Sequence, residues 1–355
     1  MEMNTDHSGL TGQLSNTCQD KSTSTSVAKL GYAAAVVSLI AITAIFEGYE
    51  LLLASSILSY AIAVMGLNVL MGYNGQISLG HGAFFAIGAY TAAICIDQFA
   101  IPFAITPIIA GLVGMIAGWL FGKPALRLEG VYLALATFAL AIATPTVLRS
   151  DLFAKWTGGV QGLFLVINPA WEWTSLDLDQ SIYLTVAVYF AIFSWITHRL
   201  VKGLNGKAWI ASRDNSIAAQ AMGINVTRAK TRAFVFSTLA CSIGGSLQAI
   251  AIQFVAPDSF PFFLSIALFT AVVVGGLCTP LLGPILGSAF IVLVPNVTEE
   301  VWQGGSWAVY GAIIILVMAI QPKGLAGMLI WLKSIFSSRI GSKRNRAGQT
   351  ATDQQ

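Results

Sequence analysis

Charge is what this sequence has least of: Lys, Arg, Asp and Glu make up 10% of its 355 residues, against about 25% in a soluble domain. With 56% of its residues hydrophobic, the chain cannot cover a water-facing surface, which excludes the soluble and disordered classes for most of its length. Three histidines and four cysteines leave little to hold a metal. Cys18, Cys95, Cys241 and Cys278 have no ligand-like spacing and mostly lie inside apolar runs, where they read as small packing residues. No His-Glu-x-x-His, Gly-x-Ser-x-Gly or Gly-x-x-x-x-Gly-Lys-Ser/Thr occurs. The nearest approach to the last, Gly203-Leu204-Asn205-Gly206-Lys207-Ala208, lacks both its spacing and its hydroxyl. The expectation is a chain that binds no metal or cofactor and does not hydrolyse ATP itself. A net charge of +3, divided among separate loops, also argues against nucleic acid as a partner.

What the sequence does have is apolar runs near the length that crosses a bilayer. They fall at 30–46, 51–71, 77–96, 102–121, 128–148, 182–196, 233–255, 262–276, 283–295 and 307–320. They predict an all-α polytopic helical membrane protein of about ten transmembrane or half-membrane helices. Residues 1–28 are Ser/Thr/Asn-rich and read as a disordered cytoplasmic segment, 29–322 as the membrane domain and 323–355 as a basic cytoplasmic tail near anionic lipid. The first run ends without a small-x-small cleavage site and reads as a retained span. With the N-terminus inside, 17 of the 19 basic residues fall on the cytoplasmic side, all but Arg149 and Lys155, and ten of the 16 acids fall outside. Removing one middle crossing would destroy that segregation, so both termini are expected in the cytoplasm. The runs at 182–196 and 283–295 are short for full spans and are expected to be half-helices or to gain length from flanking polar residues. The long loop 149–181, with Trp156, Trp171 and Trp173 beside four acids, faces outward.

Three polar intervals break the apolar pattern. Between residues 66 and 90 lie Asn68, Asn74, Gly75, Gln76, Ser78, Gly80, His81 and Gly82. Either the glycines let helices approach and the amides bond across them, or part of the segment is unwound and lines a translocation path. His81 has no acidic or basic partner in its run, so a neutral hydrogen-bonded imidazole is expected. A second interruption carries Gly275, Gly276, Thr279 and Gly283. The third, 199–232, is strongly basic, and its middle reads as a short helix capped by Asp214, with Ile217, Ala218, Ala221 and Met222 on one face and Gly223 ending it.

Ala218-Ala219-Gln220-Ala221-Met222-Gly223 resembles the Glu-Ala-Ala-x-x-x-Gly loop of ABC importer permeases, with Ala218 where that pattern has Glu. The stretch from Gly72 to Tyr90, Gly-Tyr-Asn-Gly-Gln-Ile-Ser-Leu-Gly-His-Gly-Ala-Phe-Phe-Ala-Ile-Gly-Ala-Tyr, is similar to the signature of the LivM and LivH branch of permeases for branched-chain amino acids. Gly275 to Ala289, Thr157-Gly158-Gly159 and the Arg127 to Tyr132 turn match further elements of that family, with Cys278 in place of a Gly and Pro280 added. The resemblance covers about residues 50–330 and is closest to LivM. It implies a permease of the inner membrane that moves leucine, isoleucine and valine by alternating access. ATP would be used by separate ATP-binding cassette subunits docking on Arg213, Asp214, Asn215 and 218–223. A second, LivH-like chain and a periplasmic solute-binding protein would complete the assembly. Relatives with similar cores carry urea or short amides, which keeps that substrate class open. An ion-coupled secondary transporter is the main alternative mechanism; the absence of charge inside the runs counts against proton coupling. A passive channel and a membrane enzyme rank below it.

Overall fold

The computed structural model describes residues 48–125, 130–167 and 177–301, with isolated positions at 43, 46 and between 309 and 327. Most of the run at 30–46, Arg127 and Glu129, Trp171 and Trp173, most of the run at 307–320 and both terminal segments lie outside the described residues.

The remaining runs all form helices: α1 (Tyr49–Asn68), α2 (His81–Asp97), α3 (Thr106–Ala125), α4 (Val131–Arg149), the short α5 (Asp151–Thr157), α6 (Leu178–Lys202), α7 (Leu204–Asp214), α8 (Ser216–Ala221), α9 (Val226–Ile252), α10 (Phe262–Gly275) and α11 (Leu282–Val301). Among the described residues, seven helical segments are long and apolar enough to cross a bilayer. The two short runs are full-length helices. That at 182–196 becomes the 25-residue α6, started by a capping box between Asp177 and Gln180, and that at 283–295 becomes the 20-residue α11, which continues past Pro295. The run at 77–96 departs the other way, because α2 starts only at His81 and has 17 residues. Cys95 and Cys241 are buried and free, as packing residues are, whereas Cys278 is disulfide-bonded, against expectation.

The core is built on α9, which packs against α1, α2 and α3. Its middle is a run of small residues, Ser237, Thr238, Ala240, Cys241, Ser242, Gly244, Gly245 and Ser246. In lipid, close backbone approach takes the place of hydrophobic drive between helices. Gly245 lies against the Phe85 carbonyl and Gly88 against that of Ser242, so a Cβ at either would force α2 and α9 apart. Ser242 Oγ donates to the Phe84 carbonyl at 2.8 Å across the same seam.

The interhelical loops gather at two ends. At one, the segment after α1 meets the α10–α11 turn and the end of α7. At the other, Arg149 pairs with Asp258, and the two-residue strands β1 (Leu163–Phe164) and β2 (Phe254–Val255) pair antiparallel, Leu163 opposite Val255. This alternation of ends is what successive crossings require.

Candidate functional site

Helix α1 does not end cleanly. Its last turn widens into a π-helix over Val69–Tyr73, a local insertion often found at functional positions. The backbone then leaves the helix from Asn74 to Gly80. Three carbonyls of the widened turns still accept from this segment: Asn74 N–H donates to Val69 at 3.2 Å, Gly75 N–H to Met71 at 3.2 Å and Gln76 N–H to Leu70 at 3.1 Å. Further along, Leu79 N–H donates to Thr137 Oγ1 at 3.1 Å and Gly82 N–H to Ser265 Oγ at 2.9 Å. Non-helical backbone at membrane depth survives only where protein supplies such partners. The interval combines both expected features: it is unwound from Asn74 to Gly80, while Gly80, Gly82 and Gly88 make close helix contacts and Asn68 bonds across helices.

The second interruption is fastened to the first. Asn68 accepts from Cys278 N–H at 3.1 Å and donates to the Thr279 carbonyl at 2.7 Å, while the Tyr73 hydroxyl donates to the Cys278 carbonyl at 2.7 Å. The turn itself carries φ of 111° at Gly276 and 61° at Cys278. Gly275 and Gly283 pack backbone against backbone where α10 and α11 diverge. Thr279 closes the turn by donating to Gly276.

The third interval arrives from the opposite direction. Trp209 is buried and its indole N–H donates to the Ala229 carbonyl at 3.0 Å, which fixes α7 on the start of α9. Helix α7 therefore runs through Asp214, and the cap of α8 is Asn215, whose Oδ1 accepts from Ile217 N–H at 3.1 Å and Ala218 N–H at 3.0 Å. The expectation that Asp214 caps α8 is corrected: its carboxylate instead takes Nε and Nη2 of Arg213, each at 2.9 Å. Gly223 ends α8 at φ 82°, as its position suggested. Of the helix, Ala219 is buried, whereas Ile217 is 79% and Met222 86% exposed, with Ala218, Gln220 and Ala221 also on the surface.

Arg213 joins the intervals. Its Nη1 donates to the Gly72 carbonyl at 2.6 Å and lies 3.3 Å from Cys278 Sγ. Its stem lies over Gly75, which sits at φ 72° and where a Cβ would stand 2.6 Å from Arg213 Cγ. Between α8 and the unwound segment is a cavity of about 460 Å³, walled by Asn74, Gly75, Gln76 and Ile77, by Gly130 and Leu133 at the start of α4, by Ser212 through Ile217 and by Lys230. Asn74 and Gln76 are 3% and 6% exposed, and neither carboxamide has a hydrogen-bond partner among the described residues. A buried polar group left unsatisfied costs about 1–3 kcal/mol.

Other candidates stand apart from this cavity. His81 is 1% exposed, between Ser78 Oγ, 3.0 Å from Nδ1, and Ser237 Oγ, 2.9 Å from Nε2. Since Ser237 spends its proton on the Phe234 carbonyl, it accepts from Nε2–H, and Nδ1 is left to accept from Ser78. The imidazole is positioned by two hydroxyls. Gly80 and Gly82 press on Thr137 and Ser265, so Ser78 to Gly82 form a packed helix entry. Sequence reading passed over Ser237, although the hydroxyl-rich run of α9 marks a polar seam.

A bundle of apolar spans with two backbone interruptions held against each other defines a class: polytopic helical membrane proteins with discontinuous helices, an arrangement associated with solute transport. The chain matches the family described as branched-chain amino acid transport system / permease component over residues 49–318. It is 30% identical to the high-affinity branched-chain amino acid transport system permease protein LivM of Salmonella typhimurium, over 78% of this chain and 69% of that protein. The corresponding LivM of Escherichia coli is also 30% identical, over 76% and 68%. The probable branched-chain amino acid transport permease protein LivH of Methanocaldococcus jannaschii is 24% identical over 71% and 83%. No solved structure matches. The chain belongs to the branched-chain amino acid transport permease family and is a LivM-like, multi-pass membrane permease.

Proposed function

We propose that this chain is the membrane-spanning subunit of an ATP-driven importer of leucine, isoleucine and valine in a bacterial inner membrane, with its termini and α8 in the cytoplasm. Its partners are two ATP-binding cassette subunits, a homologous LivH-like chain, a periplasmic solute-binding protein on the face that carries β1, and lipid around the spans. ATP acts on the cassette subunits. Helix α8 is the docking element: with Ala218 in the acidic position of the general pattern, Ile217 and Met222 supply an apolar contact in place of a salt bridge.

The observation that carries this reading is the bond from Arg213, two residues before the cap of α8, to Gly72 at the head of the unwound segment. A displacement of α8 by a closing ATPase pair is thereby delivered to the first interruption and, through Asn68 and Tyr73, to the second. Two discrete arrangements of such packed elements are what alternating access needs. The test is uptake of labelled leucine into proteoliposomes holding the co-purified complex. Uptake that needs ATP and the solute-binding protein is expected. Uptake by this chain alone, driven by a sodium or proton gradient, would overturn the assignment.

A further inference from the structure

Asn68, Asn74 and Gln76 are three carboxamides of one polar interval, and the fold treats them differently. Asn68 spends its amide on Cys278 and Thr279. Asn74 and Gln76 are buried just as deeply, have their backbone N–H groups satisfied, and leave all four amide atoms unpartnered among the described residues. Buried polar atoms are almost always bonded, so an orphan pair asks for a partner that arrives from elsewhere.

We propose that the cavity they border is an inner-side solute site, with the Asn74 and Gln76 carboxamides as its polar ligands and Arg213 as its cover. Its ligand is a small solute of no net charge carrying both donors and acceptors, an amino-acid zwitterion or a short amide. Each carboxamide offers two donors and one acceptor oxygen, enough for a carboxylate on one side and an ammonium on the other. The Arg213 guanidinium is paired with Asp214, and Lys230 is a further cation of the wall, suited to the carboxylate or carbonyl oxygen of such a solute. Ile77 and Leu133 in the same wall suit an alkyl side chain, and about 460 Å³ falls within the range of small-molecule pockets, roughly 300–1,000 Å³. The stem of Arg213 lies over Gly75, between the two amide-bearing residues, and the four amide atoms are closed off with α8 in this position; the site opens when α8 moves and carries Arg213 away. The site deepens the importer reading and rests on it for the direction of release.

The experiment uses the whole complex in nanodiscs without solute-binding protein, with labelled leucine and labelled urea as separate probes. Asn74→Leu and Gln76→Leu should each lower retention of the bound probe at least tenfold while ATP hydrolysis continues. In parallel, Gln76→Cys in inside-out vesicles should react with an impermeant maleimide severalfold faster when Arg213→Ala is added, and more slowly when the solute is present. Unchanged retention in both Leu variants would overturn the site. If those variants fail to assemble, a maleimide rate indifferent to solute and to Arg213→Ala would do the same. Retention of urea but not leucine supports the site while removing the branched-chain substrate, so the two readings fail separately.

Discussion

Arg213 donates from Nη1 to the carbonyl of Gly72 at 2.6 Å, across 141 positions of sequence. A cation on a carbonyl is among the stronger hydrogen bonds, about 1.5–3 kcal/mol, and this one connects a surface helix to the break in a buried one. Arg213→Ala should therefore slow transport by about tenfold or more with much less effect on ATP hydrolysis, an uncoupled phenotype. Arg213→Lys, which cannot hold Gly72 and Asp214 at once, should fall between. The ratio of leucine transported to ATP hydrolysed is the measurement; a ratio unchanged in both variants rules the link out.

Ile217 and Met222 are almost fully exposed, although apolar residues of this size normally gain by burial. Placing Asp at either should change the stability of the isolated permease by no more than about 0.5 kcal/mol, because both side chains stay exposed among the described residues. Co-purification of the ATPase subunit should instead be lost, since an unpaired charge in an apolar contact is strongly disfavoured. Pull-down yield beside the thermal unfolding midpoint separates the two effects.

The membrane class and the existence of α8 were legible in the sequence, because both rest on local composition: apolar runs and a short amphipathic stretch closed by Gly223. The cap was not. Asp214 and Asn215 are equally good caps by type, but the chain leaves the helix at Asn215, and the Asp214 carboxylate is taken by Arg213. Nor could the interval around Asn74 be resolved locally, since glycines and amides serve an unwound segment and a close-packed helix alike. The contacts that decide it come from Thr137 and Ser265. His81 and Ser237 meet across 156 positions, and only the tertiary fold brings them together.

Asn68 fastens the two interruptions with both ends of one amide. Asn68→Leu conserves most of the volume but leaves the buried Cys278 N–H and the Thr279 carbonyl without it, at about 1–3 kcal/mol for each group. The thermal midpoint of the purified complex should fall by several degrees. Uptake should decline in step, because the α10–α11 turn would no longer follow α1. Tyr73→Phe removes a single bond of the same clamp and should cost less than half as much. Equal losses would mean that the clamp is not shared as the geometry indicates.

His81 sits between two hydroxyls with no carboxylate bonded to either ring nitrogen, an arrangement that asks for one donor and one acceptor and nothing of a proton relay. Glutamine has both on one side chain. His81→Gln should keep uptake within about threefold of the parent, with the same dependence on pH between about 5.5 and 8, the range in which an ordinary histidine changes charge. His81→Leu deprives Ser78 and Ser237 of their partner and should cost about 1–3 kcal/mol in stability, visible as a lower midpoint. Uptake abolished in the glutamine variant at normal expression and midpoint would show that ionisation of the ring, not its hydrogen bonding, is what transport uses.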